Sequence, residues 1–232
     1  MPENLIKVII FDLDNTLYDE KDFVKNGFLA VAEVIEERFK INKKDFFDDL
    51  NNIFKKDGRG HIFDIILQKY NIYDKNLINE LVDVYHNNEL KLRPYFGVVD
   101  LLSFLKKDYK VALLTDALGS VQRRKLNALG IKDFFDFVVY TDDYNKPKPD
   151  PFCFEKILKH FKVLPNQAVM VGDNPFKDFP GAKNMGIKTV RVLQGEYKNI
   201  KPPLNLPKPD YIIKNVRSII NILNKINKTN NV

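Results

Sequence analysis

Two carboxylates close the first apolar run of the chain. In KVIIFDLDNTLYDE, residues 7–20, Val8 to Phe11 are followed by Asp12 and, two positions on, by Asp14. Side chains alternate along an extended strand, so residues two apart share a face and both carboxylates can lean toward one ligand. Two more apolar runs end alike: KVALLTD (110–116) in Thr115 and Asp116, and QAVMVGD (167–173) in Gly172 and Asp173. Acidic groups gathered this closely repel one another unless a cation neutralises them. A hard divalent ion with oxygen ligands, Mg2+ by preference, suits such a set and would also bind a phosphate. The plain alternative at each tip is a turn or a helix cap, which a Thr-Asp pair commonly supplies.

The elements that must carry these tips follow from the spacing of apolar residues. The three runs, with KTVRVL (188–193), FDFVVY (135–140) and DYIIK (210–214), are rich in β-branched residues and predict strands. Helical periods precede three of them: VVDLLSFLKK (98–107), FCFEKILKHF (152–161) and the short FPGAKNMG (179–186). Strands alternating with helices imply βαβ crossovers, hence an α/β fold with a mostly parallel sheet covered on both faces. In such a sheet ligands bind beyond the carboxyl ends of the strands, where strand order reverses. From about residue 19 to residue 96 the pattern changes to helix alone, in residues 21–40, 44–54, 61–70 and 77–90. That predicts an all-helical insertion after the first strand, with the core formed by 1–18 and 97–232 and the insertion by 19–96. KPPLNLPKP (201–209) predicts an extended surface connection.

Four short strings in this order, DLDNT (12–16), LLTD (113–116), KPDP (148–151) and GDNPFKD (172–178), resemble the motifs of the haloacid dehalogenase superfamily of aspartate-nucleophile phosphohydrolases. Each string alone is weak; the ordered set, spread over nearly the whole chain with a helical segment between the first and second, is specific. The resemblance implies a Rossmann-like core with an inserted helical cap. It implies that Asp12 is the nucleophile that forms an aspartyl-phosphate, splitting one hard step into two. Asp14 would protonate the leaving alcohol and later deprotonate the water, while its backbone carbonyl ligates Mg2+. Thr115 would hydrogen-bond the phosphoryl oxygens, helped by the backbone N–H groups of Asp116 and Ala117. Asp173 would bind the metal directly, and Asp178 would be a second acidic anchor. The plainer alternative for Asp178 taken by itself is an acid at a helix N-terminus.

A lysine would hold the charge of Asp12 and of the transferred phosphoryl group. NKPKPDPFCF (145–154) offers both Lys146 and Lys148. The family's spacing to Asp173, and the Lys-Pro-x-Pro-x-x-Phe pattern, favour Lys148. Relatives commonly carry glycine where Ala117 stands and often asparagine where Asp116 stands. An ionised Asp116 facing a phosphate would oppose it, so its carboxylate is expected to turn away or to be paired. Within the cap, Arg59 and His61 in KDGRGHIFD (56–64) are candidates for substrate contact, against the reading of a solvated loop. Tyr18 and Asp19 are expected at the hinge, and the residues around Phe176 and Phe179 as packing.

The remaining composition narrows the class of function. The 232 residues, 44% hydrophobic and 29% charged, are ordinary for a globular protein. No apolar run is long enough to cross a bilayer, and no leader pattern opens the chain, so a cytoplasmic protein is expected. The single cysteine, Cys153, suits a reducing compartment and is expected to be buried as a small apolar residue. The net charge of +6 lies largely in lysines spread after Glu196, without a basic patch interleaved with aromatics, which argues against a nucleic-acid partner. His61, His86 and His160 share no zinc-ligand spacing. The partner that the resemblance implies is a small phosphate ester, a sugar or polyol phosphate before a nucleoside monophosphate, acted on by a monomer or homodimer. A phosphomutase of the same fold, or a binding module without turnover, is the alternative. A dehalogenase is disfavoured, because those relatives lack the second acid that Asp14 supplies.

Overall fold

The predicted strands pair as one parallel sheet in a computed structural model that describes residues 5–229. The strands are β1 (Val8–Phe11), β2 (Lys110–Thr115), β3 (Phe137–Tyr140), β4 (Ala168–Gly172), β5 (Lys188–Val192) and β6 (Tyr211–Ile213). Their order is β3-β2-β1-β4-β5-β6, every neighbouring pair parallel. The chain builds outward from β1 to β3, then returns to lay β4 against the other side of β1. The order therefore reverses between β1 and β4, the switch point at which a doubly wound sheet leaves a crevice. Phe11 lies level with Leu113 of β2 and Val171 of β4. That register brings Asp12, Thr115 and Asp173 out together at the carboxyl ends of the strands.

All four residues of β1 are buried, because helices cover both faces. Val8, Ile10, Ala112, Leu114, Ala168 and Met170 form one side of a core cluster. The other side of that cluster is Cys153, Phe154, Ile157 and Leu158 of α7 (Phe152–Phe161) and Ala182 of α8 (Pro180–Asn184). The i, i+1, i+4, i+5 spacing in α7 is that of a helix with one apolar stripe. On the opposite face Ile9, Phe11, Val111, Leu113, Val169 and Val171 are equally buried. There α5 (Val98–Leu105) packs on β2 and is joined through the turn at 216–218 to α9 (Ile219–Thr229). Residues 201–209 carry no strand or helix. Among the described residues, no helix is long and apolar enough to cross a membrane.

The chain divides into two compact units, Met1–Glu20 with Leu92–Val232, and Lys21–Lys91. Residues 92–96 belong with the sheet because Tyr95 N–H donates to the Leu17 carbonyl (2.9 Å) and Tyr18 bridges Pro94. The second unit holds α1 (Glu20–Phe39), apart from its first residue, α2 (Lys43–Asp57), α3 (Ile62–Lys69) and α4 (Lys75–Asn87). Val24, Phe28, Val31 and Ile35 form a stripe along α1 that packs against Phe46 and Leu50 of α2, Ile66 of α3 and Leu81 of α4. Asn42 and Asp74 cap α2 and α4, their side chains accepting from the first free backbone N–H groups.

Candidate active site

At the edge where β1 and β4 end, one ammonium sits among three carboxylates. Lys148, on the loop before α7, is 4% exposed. Its Nζ donates to Asp12 Oδ1 (2.6 Å), Asp178 Oδ1 (2.7 Å) and the Leu114 carbonyl (3.3 Å). These acceptors use the three protons that an ammonium carries. Burial alone would lower the pKa of Lys148, but the charges of Asp12, Asp178 and Asp116 hold it well above the ordinary lysine value. Lys146 is instead exposed and pairs with Asp150 (3.3 Å), so the geometry brings Lys148 to the strand tips and leaves Lys146 at the surface.

Asp12 receives a second bond, from Thr16 Oγ1 to Oδ2 (3.1 Å). Burial, with the nearby charges of Asp178 and Asp14, raises its pKa to about 7 against the pull of Lys148. Asp173 is 2% exposed, and burial beside Asp12 and Asp178 pushes its pKa up to about 10. Asp178 does not serve as a free helix-terminal acid. Beyond Lys148 it accepts the N–H of Asn174 (2.9 Å), closing the turn after β4 on itself. Gly172 makes that turn fit, since a Cβ there would lie 2.2 Å from Asp178 Oδ2.

Asp14 occupies a different cluster from the one that alternation along a strand suggests. The strand ends at Phe11, and the Asp14 carboxylate is held by Lys125 Nζ (2.7 Å) and the Tyr18 hydroxyl on Oδ1, and by Gln122 Nε2 (2.7 Å) on Oδ2. Burial would raise its pKa, but these donors, Lys125 foremost, hold it below the usual carboxylate value. Thr115 is fully buried and accepts from the same Gln122 nitrogen (2.6 Å). Asp116 is paired: it accepts from Thr141 Oγ1 (2.9 Å) and the Lys148 N–H (3.1 Å), and its other oxygen lies 3.2 Å from Lys177 Nζ. Its pKa is lowered, because Lys148, Lys177 and these bonds outweigh the effect of burial. Ala117 adopts a left-handed backbone, φ +70°, a conformation that favours glycine.

Arg59 and His61 lie in the other unit, in the exposed connection between α2 and α3. The Arg59 guanidinium stands 5.9 Å from the centre of the Phe54 ring, and His61 Nδ1 is 3.7 Å from Asp64. Tyr18, expected at a hinge, is fully buried. Of the two phenylalanines expected to pack, Phe179 is buried, whereas Phe176 is exposed, its ring centre 6.2 Å from that of Tyr197. Sequence reasoning passed over Gln122, Lys125 and Lys177. The first two sit in QRRK on α6 (Gly119–Ala128), a string that looks like a solvated charged face. Helical phase was the available signal: Gln122 and Lys125 share the buried side with Val121 and Leu126, while Arg123 points out to Asp143 (2.5 Å).

The residues fit a divalent cation. Asp12, Asp173 and Asp178 each offer a carboxylate oxygen within 4.8 Å of the others. Asp173 Oδ2 is buried without a hydrogen-bond partner, an arrangement that costs free energy unless another group satisfies it. Three carboxylates against one ammonium leave negative charge uncompensated, and hard oxygen donors suit Mg2+.

Comparison with known proteins gives the family. A family model for haloacid dehalogenase-like hydrolases matches residues 9–192. The chain is 33% identical over 230 residues to the glyceraldehyde 3-phosphate phosphatase of Methanocaldococcus jannaschii, covering 97% of this chain and 100% of that protein. It is 27% identical over 232 residues to pyrophosphatase PpaX of Halalkalibacterium halodurans, covering 94% of this chain and 97% of that protein. A crystal structure of a HAD phosphatase from Thermococcus onnurineus superposes with a TM-score of 0.63 at 26% identity, over 94% of this chain and 98% of the other.

Proposed function

The chain belongs to the haloacid dehalogenase-like hydrolase family, and on that premise we propose that it hydrolyses a small phosphate monoester through an aspartyl-phosphate on Asp12. The observation that carries this reading is the buried contact of Lys148 with Asp12 and Asp178 at the switch point. Asp12 attacks phosphorus, the bond to the ester oxygen breaks, and the leaving oxygen takes a proton from Asp14, which enters this step in its protonated form although its donors favour the ionised one. Water then attacks the same phosphorus, Asp14 recovers a proton from it, and inorganic phosphate leaves with Asp12 restored. Lys148 orients Asp12 and opposes the effect of burial on its ionisation, and its charge offsets that of the phosphoryl group. Thr115 and the backbone of Asp116 and Ala117 bind the phosphoryl oxygens. The pairing of Asp116 with Lys177 keeps its charge from opposing them. Asp12, Asp173 and Asp178, with the backbone carbonyl of Asp14, would hold Mg2+. Bound there, it would supply charge neutralisation for the carboxylates and the phosphate.

For the substrate we propose a three-carbon phosphate of the glyceraldehyde 3-phosphate kind, supported by the full-length similarity to a protein of that name. Arg59 and His61 are the proposed contacts of the cap with it, and the cytoplasm is the proposed setting. The test is phosphate release from a panel holding glyceraldehyde 3-phosphate, other sugar and polyol phosphates, nucleoside monophosphates and pyrophosphate, with Mg2+ and with chelator. Release of phosphate from the three-carbon ester that needs Mg2+ and disappears in Asp12→Asn is the expected result. Preference for pyrophosphate would overturn the substrate assignment. Transfer of phosphate between sugar positions, or binding without turnover, would overturn hydrolysis in favour of a mutase or a binding module.

A further inference from the structure

We propose that Lys125 and Gln122 of α6 are positioning residues for proton transfer, fixing the Asp14 carboxylate and tying it to the hydroxyl of Thr115. The inference rests on the reading of Asp14 as the group that protonates the leaving oxygen. Lys125 is 2% exposed in the middle of a helix, and Gln122 is fully buried one turn earlier. Taking an ammonium out of water is costly unless partners compensate, and apolar side chains of similar volume avoid that cost. Here the compensation comes from Asp14 Oδ1 at 2.7 Å and Glu20 Oε1 at 3.7 Å.

The geometry assigns each donor a separate task. A carboxylate offers about four lone-pair sites. Lys125 and Tyr18 take two on Oδ1, and Gln122 takes one on Oδ2. The carboxylate therefore cannot rotate about its terminal bond without breaking contacts at both oxygens, and one site on Oδ2 stays open for a leaving group. The amide of Gln122 must present its NH2 group, because its oxygen would set acceptor against acceptor at Asp14. Its second N–H donates to Thr115 Oγ1 at 2.6 Å. Thr115 thus accepts on the Gln122 side, and its own proton has only a long contact with the Asp116 carbonyl at 3.5 Å. That proton remains available to a phosphoryl oxygen. Gln122 in this way links the group that binds the phosphoryl to the group that protonates the ester oxygen.

An aryl ester such as p-nitrophenyl phosphate leaves without needing a proton, whereas an alkyl ester such as glycerol 3-phosphate needs one. In the Mg2+-loaded enzyme, Lys125→Met is expected to lower kcat/KM for the alkyl ester about a hundredfold, the scale of general acid catalysis. For the aryl ester kcat/KM should fall only about threefold, since that ratio reports formation of the aspartyl-phosphate. Lys125→Arg should recover most of the alkyl-ester loss. Equal losses with both esters, or no loss with either, would overturn the proposal. Gln122→Leu is measured in the same way and decides the matter should Lys125→Met fail to fold. Asp14→Asn separates the two ideas: if it lowers both esters equally, the acid assignment of Asp14 fails, whatever Lys125 does.

Discussion

Asp12 and Asp173 hold protons more tightly in the folded protein than a free carboxyl does, and this ties stability to pH. Burial raises their pKa values from the ordinary 3.8 to about 7 and about 10 respectively. Groups shifted upward in this way contribute stability that is complete below the unfolded pKa and is lost as pH rises through the folded one. With a chelator present, the contribution of these two residues to Tm should therefore decline between about pH 5 and about pH 9. Mg2+ binds the deprotonated carboxylates, so the Tm gain on adding it should grow over the same range. Thermal melts with Mg2+ and with chelator check this, and a gain that stays level or shrinks with rising pH would contradict the proposed ligand set. At this scale Asp12 and Asp173 were legible because carboxylates after buried strands have few structural uses, and Lys148 because the motif pattern that the chain resembles favours it over Lys146. The partners of Asp14 were not, because nothing in the order of residues says that Lys125 of α6 turns inward.

The turn from β2 into α6 departs from the backbone that an L-residue prefers, at Ala117 with φ +70°. A side chain in the left-handed region costs roughly 1–2 kcal/mol. Glycine removes that strain but adds up to about 1 kcal/mol of unfolded-chain entropy. Ala117→Gly should accordingly leave stability level or raise it by up to about 1 kcal/mol, measured by denaturant unfolding. A loss of about 1 kcal/mol, the usual effect of glycine at an ordinary φ, would show that this turn is not left-handed in solution. The strands were readable as elements because each is a short β-branched run bounded by polar residues, β3 and β6 at the sheet edges included. The helices of the second unit were readable from period alone, as the stripe of Val24, Phe28, Val31 and Ile35 illustrates. The phase of α6 was hidden because its charged run masks a buried side made partly of polar residues.

Across the whole molecule, the site draws on positions from Asp12 to Asp178, and strand order alone makes them neighbours. Motif spacing supplied the set, but the contact between Lys148 and Asp178 emerges only once β4 lies beside β1. The chain carries a formal net charge of +6, and a net positive protein attracts an anionic ester more than a neutral one would. The central claim is that Asp12 carries the phosphoryl group between the two steps. Its most direct test is to mix the Mg2+-loaded protein with p-nitrophenyl phosphate, whose leaving group needs no proton from Asp14, quench in acid, and read peptide masses. The account predicts a hydroxylamine-sensitive phosphoryl group on the peptide bearing Asp12, accumulating further in Asp14→Asn as its removal slows. Turnover with no phosphorylated peptide, or with the group on another residue, would contradict it.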